Sequence, residues 1–190
     1  MATPKVVVPM MVPQSAGLSC VLLTGTSGAG KSSVAGQMTV LLAAAGVSHA
    51  VMDLDGLGFF WPAPAGDPYN HRMKAANLRS LTANYISAGI RRFVLTGMVP
   101  DIEAVRHYTR ALDGARLPVI RLTADLTRMA DRLSAMHADD EDRLRYEIYR
   151  AKELGCIFDD HLVADAVIDT SALFSVDVAH KVLDFLEWIR

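Results

Sequence analysis

A glycine-rich loop between an apolar run and an amphipathic stretch constrains the fold of this chain more than any other feature. Residues 25–32 read Gly-Thr-Ser-Gly-Ala-Gly-Lys-Ser and match G-x-x-x-x-G-K-[ST] at every fixed position. The apolar residues 21–23 before the loop favour a strand, and the residues after Ser33 repeat apolar side chains at a helical period. A loop of this kind turns successive backbone N–H groups towards one anion at a helix N-terminus, so the sequence predicts a polyphosphate site.

The polar residues of the loop have distinct expected roles. Lys31 is expected to reach the terminal phosphates, and Ser32 to offer its hydroxyl to Mg²⁺, with Ser33 as a second candidate. A dinucleotide-binding loop is disfavoured because Ser33 occupies the position of its third glycine. The predicted nucleotide-binding residues are Gly25, Thr26, Ser27, Gly28, Ala29, Gly30, Lys31, Ser32 and Ser33.

The remainder of the chain fits one α/β domain. It has 190 residues, 51% of them hydrophobic, and short apolar runs alternate with stretches of helical period, as parallel strands and crossover helices do. We predict a flexible N-terminal arm over 1–17, a single domain over 18–190, and Ser175 as the cap of the last helix. Candidate strands that suit burial on both faces cover residues 18–24, 48–53, 92–96, 117–123 and 166–169.

Charge and composition exclude several kinds of partner. The 19 Lys and Arg against 21 Asp and Glu give a net charge of −2, so no overall field attracts nucleic acid or a membrane surface. No apolar run approaches the roughly 18 residues of a membrane span. The 2 cysteines lack a metal-ligand spacing and favour reduced thiols. We therefore predict a cytoplasmic monomer or homodimer that binds neither nucleic acid nor membrane.

Two acidic residues, Asp53 and Asp55, follow the second apolar run. Because they are two positions apart at a strand end, both can point to the same side of a cleft. One can order magnesium while the other accepts a proton from an attacking hydroxyl; a turn or a helix cap is the alternative. A GTPase is disfavoured because no Asn-Lys-x-Asp segment occurs, and a motor-type ATPase because the third run ends at Gly97 without a carboxylate.

From Leu18 onward the chain resembles the small-metabolite P-loop kinases, which include shikimate kinase, gluconate kinase, adenylylsulfate kinase and chloramphenicol phosphotransferase. The resemblance implies a three-layer α/β/α sandwich around a five-stranded parallel sheet of order 2-3-1-4-5. It also implies ATP and Mg²⁺ as cofactors and phosphoryl transfer to a hydroxyl of a small-molecule acceptor. It assigns Asp53 to the metal and Asp55 to the acceptor. Gly97 is similar to a residue that lines the acceptor pocket of shikimate kinase, although Met98 there replaces a glycine.

The same resemblance implies a short lid, over residues 136–145, whose arginine covers the transferred phosphate and excludes water. Arg132 and Arg143 are the candidate catalytic arginines, and Arg145 is a third. The acidic run 139–142 departs from a segment that is often basic in these kinases. Acids at a helix start are also what the helix dipole favours.

An aromatic and proline-rich stretch after Asp55 is the candidate acceptor wall. Phe59 and Trp61 are expected either to contact the acceptor or to cover the core. Arg79, on the next helix, is a candidate partner for an anionic group of the acceptor, although an exposed helical arginine needs no such role. A nucleoside or nucleotide kinase and an ATP-binding regulator without useful turnover remain the alternatives. Several arginines around Asp55 would favour a phosphate-bearing acceptor.

Overall fold

Strands and helices alternate along the parts of the chain that the computed structural model describes, residues 17–160 and 164–189. The predicted arm lies outside these residues except for Gly17. The strands are β1 Ser19–Thr24, β2 Ala50–Asp53, β3 Arg92–Thr96, β4 Val119–Thr123 and β5 Ala166–Asp169. The helices are α1 Lys31–Ala44, α2 His71–Ser87, α3 Ile102–Ala111, α4 Leu126–Met136, α5 Glu141–Asp160 and α6 Ser175–Leu186, and a 3₁₀ turn covers Gly56–Gly58.

The strands form one parallel sheet of order β2-β3-β1-β4-β5, which confirms the predicted topology. In the central strand, Leu22 is in register with Leu95 of β3 and Val119 of β4. Since the strands are parallel, their carboxyl ends meet at one edge, where open α/β sheets bind their ligands. This edge brings together the glycine-rich loop after β1 and the acidic residues at and just beyond the end of β2.

Two apolar clusters cover the two faces of the sheet. One joins Leu22 and Leu95 to Leu78 of α2 and Tyr108 of α3; the other joins the opposite face to α1 and α6. The prediction of strands buried on both faces is correct for β1, β3 and β4. It is wrong for β2 and β5, whose residues alternate in exposure because these strands form the edges of the sheet.

The start of α6 also differs from the prediction. Ser175 is the first helical residue, Phe174 occupies the N-cap, and no side chain caps the helix. The helix is held instead by a buried face that includes Val178 and Val182, both fully buried. Packing therefore fixes α6 where local capping does not.

Both cysteines are free: Cys20 is buried in β1 and Cys156 is exposed on α5. Burial raises the pKa of the Cys20 thiol to about 12, so this thiol is unreactive near neutral pH. In the described ranges, every helix is too short or too polar to cross a bilayer.

Candidate active site

A cleft of about 590 Å³ opens at the carboxyl edge of the sheet. Its walls are the glycine-rich loop, Asp53 at the end of β2 with Asp55 just after it, parts of α4 and α5, and the segment 173–175 that leads into α6. The volume lies within the range of small-ligand sites. The cleft therefore brings the predicted phosphate loop and the acidic pair into one site.

The N-terminus of α1 supplies unpaired backbone donors to this cleft. Val34 is the first residue whose N–H bonds back along the helix, to the carbonyl oxygen of Gly30 at 2.9 Å. The preceding N–H groups have no helical acceptor. Gly30 is the N-cap, with φ at 96° and no side-chain cap, and Ser32 and Ser33 are exposed at this end. This geometry fits a bound anion, because the donors and the positive end of the helix dipole point the same way.

Gly25 lets β1 pass close to the neighbouring strand. Its φ is 143°, and a Cβ at this position would overlap the backbone oxygen of Leu122. We expect Gly25→Ala to lower the free energy of unfolding by about 2–3 kcal/mol through strain and overlap. Gly36 of α1 has open space and ordinary helical φ, so Gly36→Ala is expected to be neutral or stabilising. Urea denaturation of both variants tests this; equal stabilities would contradict it.

Lys31 reaches back over the loop. Its Nζ donates to the carbonyl oxygens of Gly25 at 2.9 Å and Thr26 at 3.0 Å. Burial lowers the pKa of Lys31, and the charges of Asp55, Asp53 and Glu147 act in the opposite direction. The ammonium is thus the electrostatic partner of the acidic residues across the cleft.

Both members of the acidic pair face the cleft, as their spacing predicts, although only Asp53 belongs to the strand and Asp55 lies in the turn after it. Leu54 between the two residues is 1% exposed, while both carboxylates lie on the exposed side and line the cleft. Oδ1 of Asp53 accepts a hydrogen bond from the Asp55 N–H at 3.0 Å, so the turn considered as an alternative forms with the same residues. Oδ1 of Asp55 pairs with Nζ of Lys74 at 2.7 Å, and its Oδ2 accepts from the Met98 N–H at 3.2 Å.

The donor set at the metal position suits magnesium. The Ser32 hydroxyl and the Asp53 carboxylate line the same cleft. Both present hard oxygen donors, and proteins usually bind Mg²⁺ with one or two such groups together with phosphate oxygens. The residues present therefore fit a magnesium ion that arrives with a nucleotide.

Arg132 contacts the phosphate loop directly. Its Nη1 donates to the carbonyl oxygen of Gly28 at 3.0 Å and to Oγ1 of Thr170 at 2.9 Å, and its Nη2 donates to the Thr170 carbonyl at 2.8 Å. Burial and then the nearby Arg128 lower the pKa of Arg132, and Asp125 and Asp169 oppose this shift. The guanidinium thus ties α4 and the loop after β5 to the phosphate loop.

The predicted lid segment contains little loop. Residues 136–145 span the last residue of α4, a short connection at 137–140 and the first turn of α5. Arg143 lines the cleft from that first turn. Arg145 instead pairs with Glu141 at 3.1 Å, with both side chains exposed. Asp140 accepts from the Arg143 N–H at 3.0 Å, as the helix-start explanation of these acids expects.

Four predicted acceptor residues, Phe59, Trp61, Arg79 and Gly97, lie outside the walls of the cleft. Arg79, in the middle of α2, donates to the Arg110 carbonyl at 2.6 Å near the end of α3. Phe59 and Trp61 are 97% and 90% exposed and do not line the cleft. Gly97 has a packing role, because a Cβ there would approach the Leu54 Cβ to 2.9 Å. These residues are near the site along the chain, as predicted, but tertiary contacts turn them elsewhere.

Sequence reasoning missed three residues in or beside the cleft, namely Lys74, Glu147 and Phe174. Lys74 lies on the buried stripe of α2, where an apolar residue is expected. A charged residue at such a position indicates that its charge has a partner. Glu147 follows Arg143 by one helical turn and lines the same wall. The 76%-exposed Phe174 reaches the cleft from the loop that joins β5 to α6, and no local pattern marks it.

Comparison with known proteins agrees with this geometry. The sequence model of the adenylylsulphate kinase family matches residues 17–133, more than half of the chain, from β1 through most of α4. The chain belongs to the adenylylsulphate kinase family. The predicted membership of the small-metabolite P-loop kinases is thereby confirmed, and the family identifies the chain as a phosphotransferase of that group. No curated protein sequence matches this family member.

Solved structures share the fold of this family member at low sequence identity. Shikimate kinase from Acinetobacter baumannii, solved with shikimate, is 19% identical with a TM-score of 0.60, over 90% of this chain and 94% of that one. An APS kinase from Mycobacterium tuberculosis, solved with AMPPNP and APS, is 21% identical with a TM-score of 0.55, over 93% and 99%. A gluconokinase from Sinorhizobium meliloti is 16% identical with a TM-score of 0.56, over 90% and 93%. The α/β/α fold is shared throughout.

Proposed function

We propose that this protein is an ATP- and magnesium-dependent kinase that transfers the γ-phosphoryl group to a hydroxyl of a small molecule. The supporting observation is the arrangement of Lys31 and Asp55, which line one cleft at the N-terminus of α1. A cation and a carboxylate around a phosphate-binding turn are what phosphoryl transfer needs to stabilise charge and accept a proton. Family membership and the nucleotide in the APS kinase structure support ATP as the donor.

Different residues of the cleft have different roles in phosphoryl transfer. The loop N–H groups and Lys31 bind the phosphate oxygens, and Ser32 and Asp53 would hold Mg²⁺, which when bound neutralises charge on the phosphates. Asp55 accepts the proton of the acceptor hydroxyl as the new O–P bond forms and the bond to ADP breaks. Arg143 lies on the wall from which a guanidinium could cover the transferred group, whereas Arg132 holds the loop in shape.

The nucleotide base is expected at the end of the cleft formed by Phe174. This side chain is 76% exposed although it lines a cleft, and Arg128 lines the same cleft. An aromatic face and a guanidinium plane are both suitable for stacking on a purine. The phosphates would then extend along the loop towards Lys31, with the γ-phosphate nearest Asp55.

The charges around Asp55 favour an acceptor without an anionic group. Lys74 is already paired with Asp55, and Arg79 is turned towards the end of α3. Arg72 shares the exposed face of α2 with Arg79. Within the described residues, Asp55 makes no hydrogen bond or ion pair with a guanidinium, and of the arginines that line its cleft Arg132 is engaged with the glycine-rich loop. A phosphate or carboxylate on the acceptor would require such a guanidinium beside Asp55. This disfavours a nucleotide kinase and an acceptor as anionic as adenylylsulphate; a nucleoside or another uncharged hydroxyl compound fits better.

A panel of matched acceptors tests this proposal through release of ADP. Each pair adds one anionic group and leaves a primary hydroxyl free: a nucleoside and its 3′-monophosphate, an alditol and the corresponding aldonate, with adenylylsulphate as a further member. We expect kcat/KM to be at least about tenfold higher for the uncharged member, because an anion would be desolvated without a partner. Preference for the anionic members would contradict the acceptor assignment. If the protein binds MgATP but releases no ADP with any member of the panel, the ATP-binding regulator without useful turnover would be favoured.

A further inference from the structure

Both oxygens of the Asp55 carboxylate are held by neighbouring groups. Nζ of Lys74 lies 2.7 Å from Oδ1, and the Met98 N–H donates to Oδ2 at 3.2 Å. The two contacts come from different elements, α2 and the loop after β3. Together they fix the plane of the carboxylate, so its remaining lone pairs point in one direction.

Lys74 is an unusual partner because it is buried. Its side chain is 8% exposed, and it lies on the face of α2 that otherwise packs into the core with Ala75 and Leu78. A buried ammonium is costly unless it is paired. The Asp55 carboxylate, at 46% exposure, is the partner and lies between this buried charge and the open cleft.

The 3₁₀ turn Gly56–Gly58 closes over the stem of Lys74. A Cβ on Gly58 would lie 2.5 Å from Cγ of Lys74 and 3.0 Å from its Cε. The turn is anchored to α2 by Asn70, whose Nδ2 donates to the Gly58 carbonyl at 2.9 Å, and by Asn77, whose Nδ2 donates to the Leu57 carbonyl at 2.6 Å. These two hydrogen bonds restrain the turn, so it cannot shift freely to make room for a methyl group at Gly58. The aliphatic stem of Lys74 must therefore move instead.

We propose that Lys74 is a positioning residue that sets the orientation of Asp55, and that the absence of a side chain at Gly58 keeps Lys74 in place. The inference rests on the proposed function, since it concerns the carboxylate that accepts the acceptor proton. Lys74 does not touch the reacting atoms. It acts through Asp55, and the turn couples the loop that carries Phe59 and Trp61 to the same carboxylate.

Gly58→Ala and Gly56→Ala form a matched pair of variants. A Cβ at Gly56 meets nothing within 4 Å, whereas one at Gly58 displaces Lys74. We expect Gly58→Ala and Lys74→Met to lower kcat about 10²-fold, as a misplaced catalytic group does, with KM for ATP unchanged. Lys74→Arg keeps the charge and should restore part of the loss. Gly56→Ala should match the wild-type protein.

The Met98 amide resonance, measured by NMR, tests the positioning role of Lys74 without any measurement of turnover. The Met98 amide reports on Asp55 through its hydrogen bond, and Asp55→Ala defines the resonance of the unbonded amide. The Met98 resonance should move towards that position in Gly58→Ala and Lys74→Met and stay in place in Gly56→Ala. An unmoved resonance in Gly58→Ala and Lys74→Met, or equal kcat for both glycine variants, would overturn the positioning role. A wild-type protein that binds no MgATP would overturn the proposed function instead, while the NMR comparison would still decide the role of Lys74.

Discussion

Replacing Lys31 by Met is expected to lower kcat for ADP release by about 10³-fold, because the variant loses the cation that stabilises charge on the transferring phosphoryl group. Methionine keeps the length and apolar stem of the side chain. It also removes the donor to the carbonyls of Gly25 and Thr26, so affinity for MgATP should fall as well. Initial rates of ADP release and calorimetric titration with MgATP measure the two effects.

Lys181→Met is the matched control, since Lys181 is exposed on α6. It should retain wild-type rates and affinity. If Lys31→Met keeps more than about a tenth of the wild-type kcat, the residue is not the main phosphate cation, because one lost charge-stabilising contact in a closed site normally costs more.

Replacing Asp55 by Asn is expected to lower kcat by about 10²- to 10⁴-fold while MgATP affinity stays near the wild-type value. The amide cannot accept the acceptor proton, but it preserves the shape of the side chain and an acceptor for the Met98 N–H. The result separates the kinase from the ATP-binding regulator, for which the same substitution should leave behaviour largely unchanged. ADP release and titration with MgATP are again the measurements.

The structure also predicts that Asp55→Asn lowers the stability of the protein. Asp55→Asn would leave the buried Lys74 ammonium without its ionic partner, so we expect the free energy of unfolding to fall by about 1–3 kcal/mol. Urea denaturation followed by circular dichroism measures it and fixes a temperature at which the variant remains folded for the assay. Asp113→Asn, at an exposed position, serves as control for both properties. An unaltered kcat in folded Asp55→Asn would contradict the base assignment.

Local patterns were sufficient for the architecture. The strand–loop–helix context of residues 25–32 identified the phosphate loop, and the alternation of apolar runs with helical stretches indicated the α/β class, because each of these signals arises within a few neighbouring residues. Asp53 and Asp55 both line the cleft, as their spacing predicted, but the reason differs: the strand ends at Asp53, and Asp55 has helical backbone angles in the turn that follows. The strand order came from the family resemblance, and the sheet confirms it.

Contacts between distant segments decided the rest of the site. Arg132 and Arg79 are both arginines on helices, yet one holds the Gly28 carbonyl at 3.0 Å and the other the end of α3. Lys74 pairs with Asp55 across 19 positions of sequence. Nothing in the residues adjacent to these side chains specifies such partners, because a long side chain pairs with whatever charge the packing of helices on the sheet brings within reach. The amino-acid sequence by itself determined which residues could bind phosphate, whereas only the tertiary structure decided which charges are free to serve the acceptor and which are already neutralised.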